Sequence, residues 1–303
     1  MILSSRWAAW ACVCLLAGAL CGCPGIPAPQ TDGLYAVAVE RGIRNTAAGD
    51  RVRYALYLPQ PTDALPSPPW PAVVLLHGFA RSIDFHTHTA RYLAQRGFVV
   101  LTPMQSSPFF GDAPQQRNVV NFVEHVDWLK TRAATPGDPL FGRVAADRIA
   151  LAGHSAGGAI AFEAAVALQQ RGEGPAALFL LDAVPWESTI ACAANLEELP
   201  MAAPRSEPAP CNAWNSFAGL RSRLGFNVED VRIVGATHCD AENPTDLLCV
   251  LACGGTTRQG RAAYRDLFYA FLAENLAGPL FSDPEPGYEE TLDALRDAGT
   301  VAR

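Results

Sequence analysis

Ser155 stands in Gly153-His154-Ser155-Ala156-Gly157, between an apolar run, Arg148-Ile149-Ala150-Leu151-Ala152, and a small-residue helical stretch over 159–165. Strand, G-x-S-x-G, then helix is the setting of a nucleophile elbow, a strained turn that projects a serine hydroxyl into a cleft. The glycines leave room where neighbouring backbone crowds the turn. The helix that follows aims its first amides at developing negative charge. Standing alone, the pattern also reads as a plain strand-to-helix turn, so its partners decide. Asp182 closes the apolar run 176–181, and His238 follows the run 231–234. Serine, aspartate and histidine in that chain order suit acyl transfer. The hydroxyl attacks a carbonyl, the imidazole takes and returns its proton, and the carboxylate fixes the imidazole tautomer. Each partner also has a blander reading, as a strand-end cap or a loop histidine. Glu207, in Arg205-Ser206-Glu207-Pro208, competes for the acid's role because it follows a short candidate strand, 199–203. The strand before Asp182 is the clearer of the two, which ranks Asp182 first.

An oxyanion needs two backbone amides. Ala156, next after the serine, supplies one, and the loop His77-Gly78-Phe79-Ala80 supplies the other, at Phe79. Phe79, Phe109, Phe110 and Trp186 sit on loops after strand ends, where they would line an apolar pocket or pack those loops. Arg81 is near enough to leave anionic substrates open. His77 and His154 read as structural, bonding loop backbone beside the site. His86 and His88, two apart, make a poor metal pair on a helix, and His125 reads as a helix-surface residue.

The elements that must position these groups alternate. Two opening strands, 34–40 and 52–58, flank turn chemistry at 45–50, and a proline-dense loop covers 59–71. Then come a buried strand at 72–76, a helix at 83–95, a strand at 98–102 and a helix at 119–132. The elbow strand, its helix and the strand 176–181 follow. Residues 183–228 are irregular. Asn243-Pro244-Thr245-Asp246 offers a cap, an N1 proline and a first-turn acid for a helix that stops at Gly254-Gly255. Residues 281–303 read as a loop plus a short surface helix. Strands alternating with helices predict an α/β fold with a mostly parallel, doubly covered sheet in one domain, 34–276, followed by a tail, 277–303.

The chain has 303 residues, half of them hydrophobic, and a net charge of −7 with a single lysine, Lys130. No basic cluster appears, which argues against nucleic acid as a partner. Residues 1–23 read as an export signal: Arg6, then an apolar run, 7–20, too short to span a bilayer comfortably. Leu20-Cys21-Gly22-Cys23 resembles a bacterial lipobox, with Cys23 as the lipidated residue and 24–33 as a linker; an ordinary cleaved signal is the alternative. Either places the mature chain outside the cytoplasm, as a lipoprotein on a membrane surface or as a periplasmic or secreted protein. Five cysteines lie in the body. Cys192 and Cys211 flank the irregular insert as a natural pair, and Cys239 could close onto Cys249 or Cys253. A zinc site from His238, Cys239, Cys249 and Cys253 is the sharper alternative, but an oxidising compartment favours bridges over metal.

Strand-His77-Gly78-Phe79, the elbow, Leu181-Asp182-Ala183 and Gly235-Ala236-Thr237-His238-Cys239-Asp240 resemble the α/β-hydrolase superfamily over about 34–276. The similarity runs to its chlorophyllase, platelet-activating-factor acetylhydrolase and dienelactone-hydrolase or polyesterase-like branches. The first two imply Asp182 as the acid; the polyesterase-like arrangement, one strand later, implies Glu207. The segment 187–227 departs from the pattern. The resemblance implies a serine hydrolase of small-molecule or lipid carboxylic esters that needs no cofactor. Phospholipid deacylation or acyl transfer on the same residues, and a non-catalytic binding protein of the same fold, are the alternatives.

Overall fold

Residues 72–76 are apolar at every position, and a strand can bury such a run only if both of its faces are covered. In the computed structural model, which describes residues 35–63, 65, 67–107, 109, 111–277 and 286–302, that is where they lie. They form the inner part of β3 (Trp70–Leu76), and no residue of the strand is exposed. Ala72, Val74 and Leu76 face one core layer, with Val119, Phe122 and Phe162. Val73 and Leu75 face the other, with Leu93, Phe179 and Phe268. The expected export signal, Cys23, the linker and Phe110 lie outside the described residues.

β1 (Val37–Asn45) and β2 (Arg51–Pro59) form an antiparallel hairpin over the turn at 46–50. After β3 come α1 (Thr87–Ala94), β4 (Val99–Pro103), α2 (Asp112–Ala134), β5 (Val144–His154), α3 (Ala156–Gln170), β6 (Ala177–Leu181), the short α4 (Glu187–Ala191) and β7 (Met201–Ala202). The seven strands order as β1-β2-β4-β3-β5-β6-β7, parallel from β4 to β7. From β3 the chain goes outward to β4 on one side, then returns to place β5 on the other. α1 and α3 therefore leave on opposite faces. The crevice between the carboxyl ends of β3 and β5 is a topological switch point, where open α/β sheets gather their chemistry. The loop 77–80 and the elbow both open there.

Several elements depart from the sequence expectation. α2 begins seven residues early, at Asp112, because Pro114 falls in the first turn, where its missing N–H costs nothing. His125 on that helix is buried, not on the surface: the β1–β2 hairpin folds over it, with Arg44 on Glu124 at 3.1 Å and Asn121 O accepting from His125 Nδ1 at 2.6 Å. The run 231–234 yields only β8 (Arg232–Ile233). It pairs antiparallel with β9 (Val301–Ala302) and meets Arg205 by one parallel bridge. α5 (Phe217–Arg221) lies in the insert before β8, and α6 (Leu247–Cys253) and α7 (Arg258–Leu272) follow β8. The cap of α6 is Asp246, whose Oδ1 accepts from Cys249 N at 3.0 Å. Asn243 instead precedes a cis Pro244. α8 (Tyr288–Asp297) is no mere surface helix, since Tyr288 and Leu292 are buried against α7.

Candidate active site

The elbow's glycines are dictated by contact. A Cβ on Gly153 would lie 2.1 Å from Gly157 O, and one on Gly157 would lie 2.4 Å from His77 O. Real side chains never approach so closely, so only glycine lets the turn nest against the end of β3. Ser155 is held at φ 56°, ψ −126°, its N–H donating to Leu181 O at 3.1 Å. A non-glycine residue there is strained, and the surrounding packing holds it in place.

Asp182 also has positive φ, 44°, which turns its carboxylate off the end of β6. Its Oδ2 accepts from His238 Nδ1 at 2.7 Å, with both side chains buried. That bond fixes the tautomer in which His238 Nε2 carries a lone pair. Two groups that the sequence reading missed complete the carboxylate's shell. Ser206 donates its N–H to Oδ1 at 3.0 Å and its hydroxyl to Oδ2 at 2.5 Å, and the Asn212 amide lies 3.4 Å from both oxygens. Ser206 immediately precedes the rival acid, which is the signal that this turn meets the site. Glu207 itself points elsewhere. Its Oε1 accepts from Gly235 N at 3.0 Å, and Oε2 lies 3.6 Å from Arg232, with the side chain 38 % exposed.

Ser155 and His238 line one cavity of about 740 Å³, with Phe79, Ala156 and Trp186 also in its wall. Phe109, 73 % exposed, is not among its lining residues. Trp186 is placed through a buried carboxylate on α3. Glu163 accepts from Gln115, Ser188 and Thr189, and Thr189 Oγ1 accepts from Trp186 N at 3.2 Å. Arg81 does not offer a cation for substrate. Glu242 grips it at 2.6 and 2.7 Å, Asp246 at 3.0 Å, and it stacks on Phe85.

Beneath the site the histidines are structural. His77 donates Nδ1–H to Gly78 O at 2.8 Å and accepts at Nε2 from Gln105 N at 3.0 Å. His154 Nε2 donates to His238 O at 3.1 Å. Burial pushes His77 and His86 down to about 4 and His154 well below its ordinary value, so these rings stay neutral.

The cysteines pair as Cys211–Cys253 and Cys239–Cys249, leaving Cys192 as the free thiol among the described residues. This overturns the pairing of Cys192 with Cys211. α6 brings Cys253 to the insert, whereas Cys192 donates to Thr189 O in the first turn after Trp186. The zinc alternative fails with it. Cys239, Cys249 and Cys253 do cluster, but their sulfurs are joined in disulfides rather than held as thiolates.

A family model described as thioesterase domain matches residues 143–202, the stretch that carries β5, the elbow, α3 and β6. Among solved structures, the chain is similar to ferulic acid esterase from Streptomyces cinnamoneus. The TM-score is 0.60 at 18 % identity, over 88 % of this chain and 97 % of that one. The chain has the α/β-hydrolase fold. No curated protein sequence matches it.

Proposed function

We propose that this α/β-hydrolase-fold protein is a serine hydrolase that cleaves carboxylic esters through an acyl-enzyme. The observation that carries the reading is the buried 2.7 Å contact of His238 with Asp182, in the same cavity that strained Ser155 lines. Ser155 Oγ attacks the ester carbonyl as His238 Nε2 takes its proton. The amides of Ala156 and Phe79 receive the oxyanion, and His238 returns the proton to the departing alcohol. Water then attacks the acyl-serine by the same relay, releasing the acid and restoring the hydroxyl. The matched thioesterase model and the ferulic acid esterase likeness support ester or thioester chemistry on this scaffold. The neutralised Arg81 and the walls of Trp186, Val184 and Pro210 favour an apolar rather than an anionic substrate.

A fluorophosphonate probe should label wild-type protein once, at Ser155, and leave Ser155→Ala unlabelled. Ser155→Ala should lower kcat on p-nitrophenyl esters by about a million-fold. A matched pair of oxygen and sulfur esters ranks the two substrate classes by kcat/KM. Ester hydrolysis surviving at more than a few per cent in Ser155→Ala would overturn the assignment.

A further inference from the structure

α6 reads Leu247-Leu248-Cys249-Val250-Leu251-Ala252-Cys253, seven residues without a charge in a chain of net charge −7. Its leucines face outward: Leu247, Leu248 and Leu251 are 69, 73 and 74 % exposed. Helices normally turn such a stripe inward. Here both ends of the choice are fixed covalently. Cys239–Cys249 ties the helix to the residue after His238, and Cys211–Cys253 ties it to the insert. The acid at its start, Asp246, is already paired with Arg81.

A second observation lies on the facing loop. Ala213, Trp214 and Asn215 are three consecutive residues at positive φ, 48°, 57° and 65°. Such a run is costly for residues with side chains and persists only where surrounding bonds over-determine it. Asn212 Oδ1, accepting from Ala209 N and Asn215 N, does that here. The result is an indole held 69 % exposed. Both features border the mouth of the catalytic cavity, because Leu248 and Ala213 belong to its wall. The apolar surface is thus continuous with the path to Ser155.

We propose that α6 and Trp214 form a docking surface for the acyl-chain face of an aggregated ester, so that substrate enters the cavity from a micelle or droplet rather than from solution. The proposal rests on the esterase reading and names the physical form of its substrate. Leucine side chains immersed in hydrocarbon supply the attraction, and an indole suits the boundary between apolar and wet phases. The helix itself carries no charged side chain that would have to be desolvated there.

The test compares wild type with Leu247→Gln/Leu251→Gln and with Trp214→Ala, none of which lines the cavity. Hydrolysis of p-nitrophenyl butyrate, a monomer, is measured beside that of a medium-chain p-nitrophenyl ester across its critical micelle concentration. Wild type should show a step up in rate where micelles form. Each variant should keep its rate on the monomer while losing about tenfold on micelles. The part of the tryptophan emission that Trp214→Ala removes should shift to the blue on substrate micelles, read in the unreactive Ser155→Ala background. Equal losses on both substrates, no step in wild type, or a leucine-dependent dimer seen by sedimentation would each overturn the proposal. Failure of the esterase reading shows separately, as no turnover of the monomer at all.

Discussion

Asp182 is positioned by hydrogen bonds, accepting from Ser206 N, Ser206 Oγ and His238 Nδ1. Replacing it by asparagine presents an N–H where His238 needs an acceptor and favours the wrong tautomer. Asp182→Asn should cost on the order of 10⁴ in kcat. Glu207→Gln should leave kcat within a few-fold, since that carboxylate braces Gly235 and Arg232 instead. Steady-state kinetics on one ester ranks the two, and the reverse order would move the acid to Glu207. The buried histidines give a second residue-scale expectation. His77 and His86 take protons near pH 6.5 in the unfolded chain but only at about 4 when folded. Between those values the unfolded state binds more protons, so stability falls as pH drops from about 6.5 towards 4 and is untouched above. His86, with neither ring nitrogen hydrogen-bonded, has the least to lose by replacement. His86→Phe should raise the melting temperature at pH 5 relative to wild type and flatten the acid slope, with little change at pH 8.

At the scale of elements, the parts legible in the sequence were those with a strong local signal. The all-apolar run of β3, the strand–glycine–serine–helix of the elbow and the clear strand before Asp182 each announced their conformation. The insert did not. Residues 187–227 contain only short helices and a two-residue strand, and they are tied to the rest of the chain by the Cys211–Cys253 bridge and by side-chain bonds such as that of Asn212 to Asp182. Sequence proximity therefore paired Cys192 with Cys211, when the partner arrived from α6, 42 residues beyond Cys211. The outward leucines of α6 were hidden for the same reason, because a disulfide rather than a hydrophobic face orients the helix. Cys211→Ser/Cys253→Ser removes that clamp. It should lower stability by about 2–5 kcal/mol, read as a drop in melting temperature, and reductant should reproduce the drop in wild type. EDTA should change neither melting nor activity. Stoichiometric zinc in the purified protein would contradict the bridged arrangement.

For the whole molecule, alternation of strands and helices foretold the parallel sheet, and chain order foretold which strand ends would meet. The tail was the part that local reading could not place. Its helix is amphipathic but short, and its last strand is two residues long, so neither carries a signal until its partner is known. In the structure, Tyr288 packs edge-on against Phe271 of α7, and Leu292 and Val301 are buried. β9 pairs with β8, and Val234 N donates to Thr300 O at 2.8 Å. β8 leads directly into the segment 235–238, so the tail pins the strand from which His238 hangs. Losing it should harm both folding and chemistry. Removal of residues 287–303 exposes three large apolar side chains' worth of surface, at about 1.5–3 kcal/mol each, against a total stability of about 5–15 kcal/mol for a typical domain. The truncated chain should be largely unfolded or insoluble. A milder variant separates the two effects. Tyr288→Ala should cost about 3 kcal/mol, lowering the melting temperature by about 6–12 °C while the protein still folds at 20 °C. Fluorophosphonate labelling of that variant should slow as temperature approaches its new transition, ahead of global unfolding, if β8 loosens first. A truncated protein with unchanged melting and unchanged labelling would show that the tail is an appendage and that β8 holds His238 unaided.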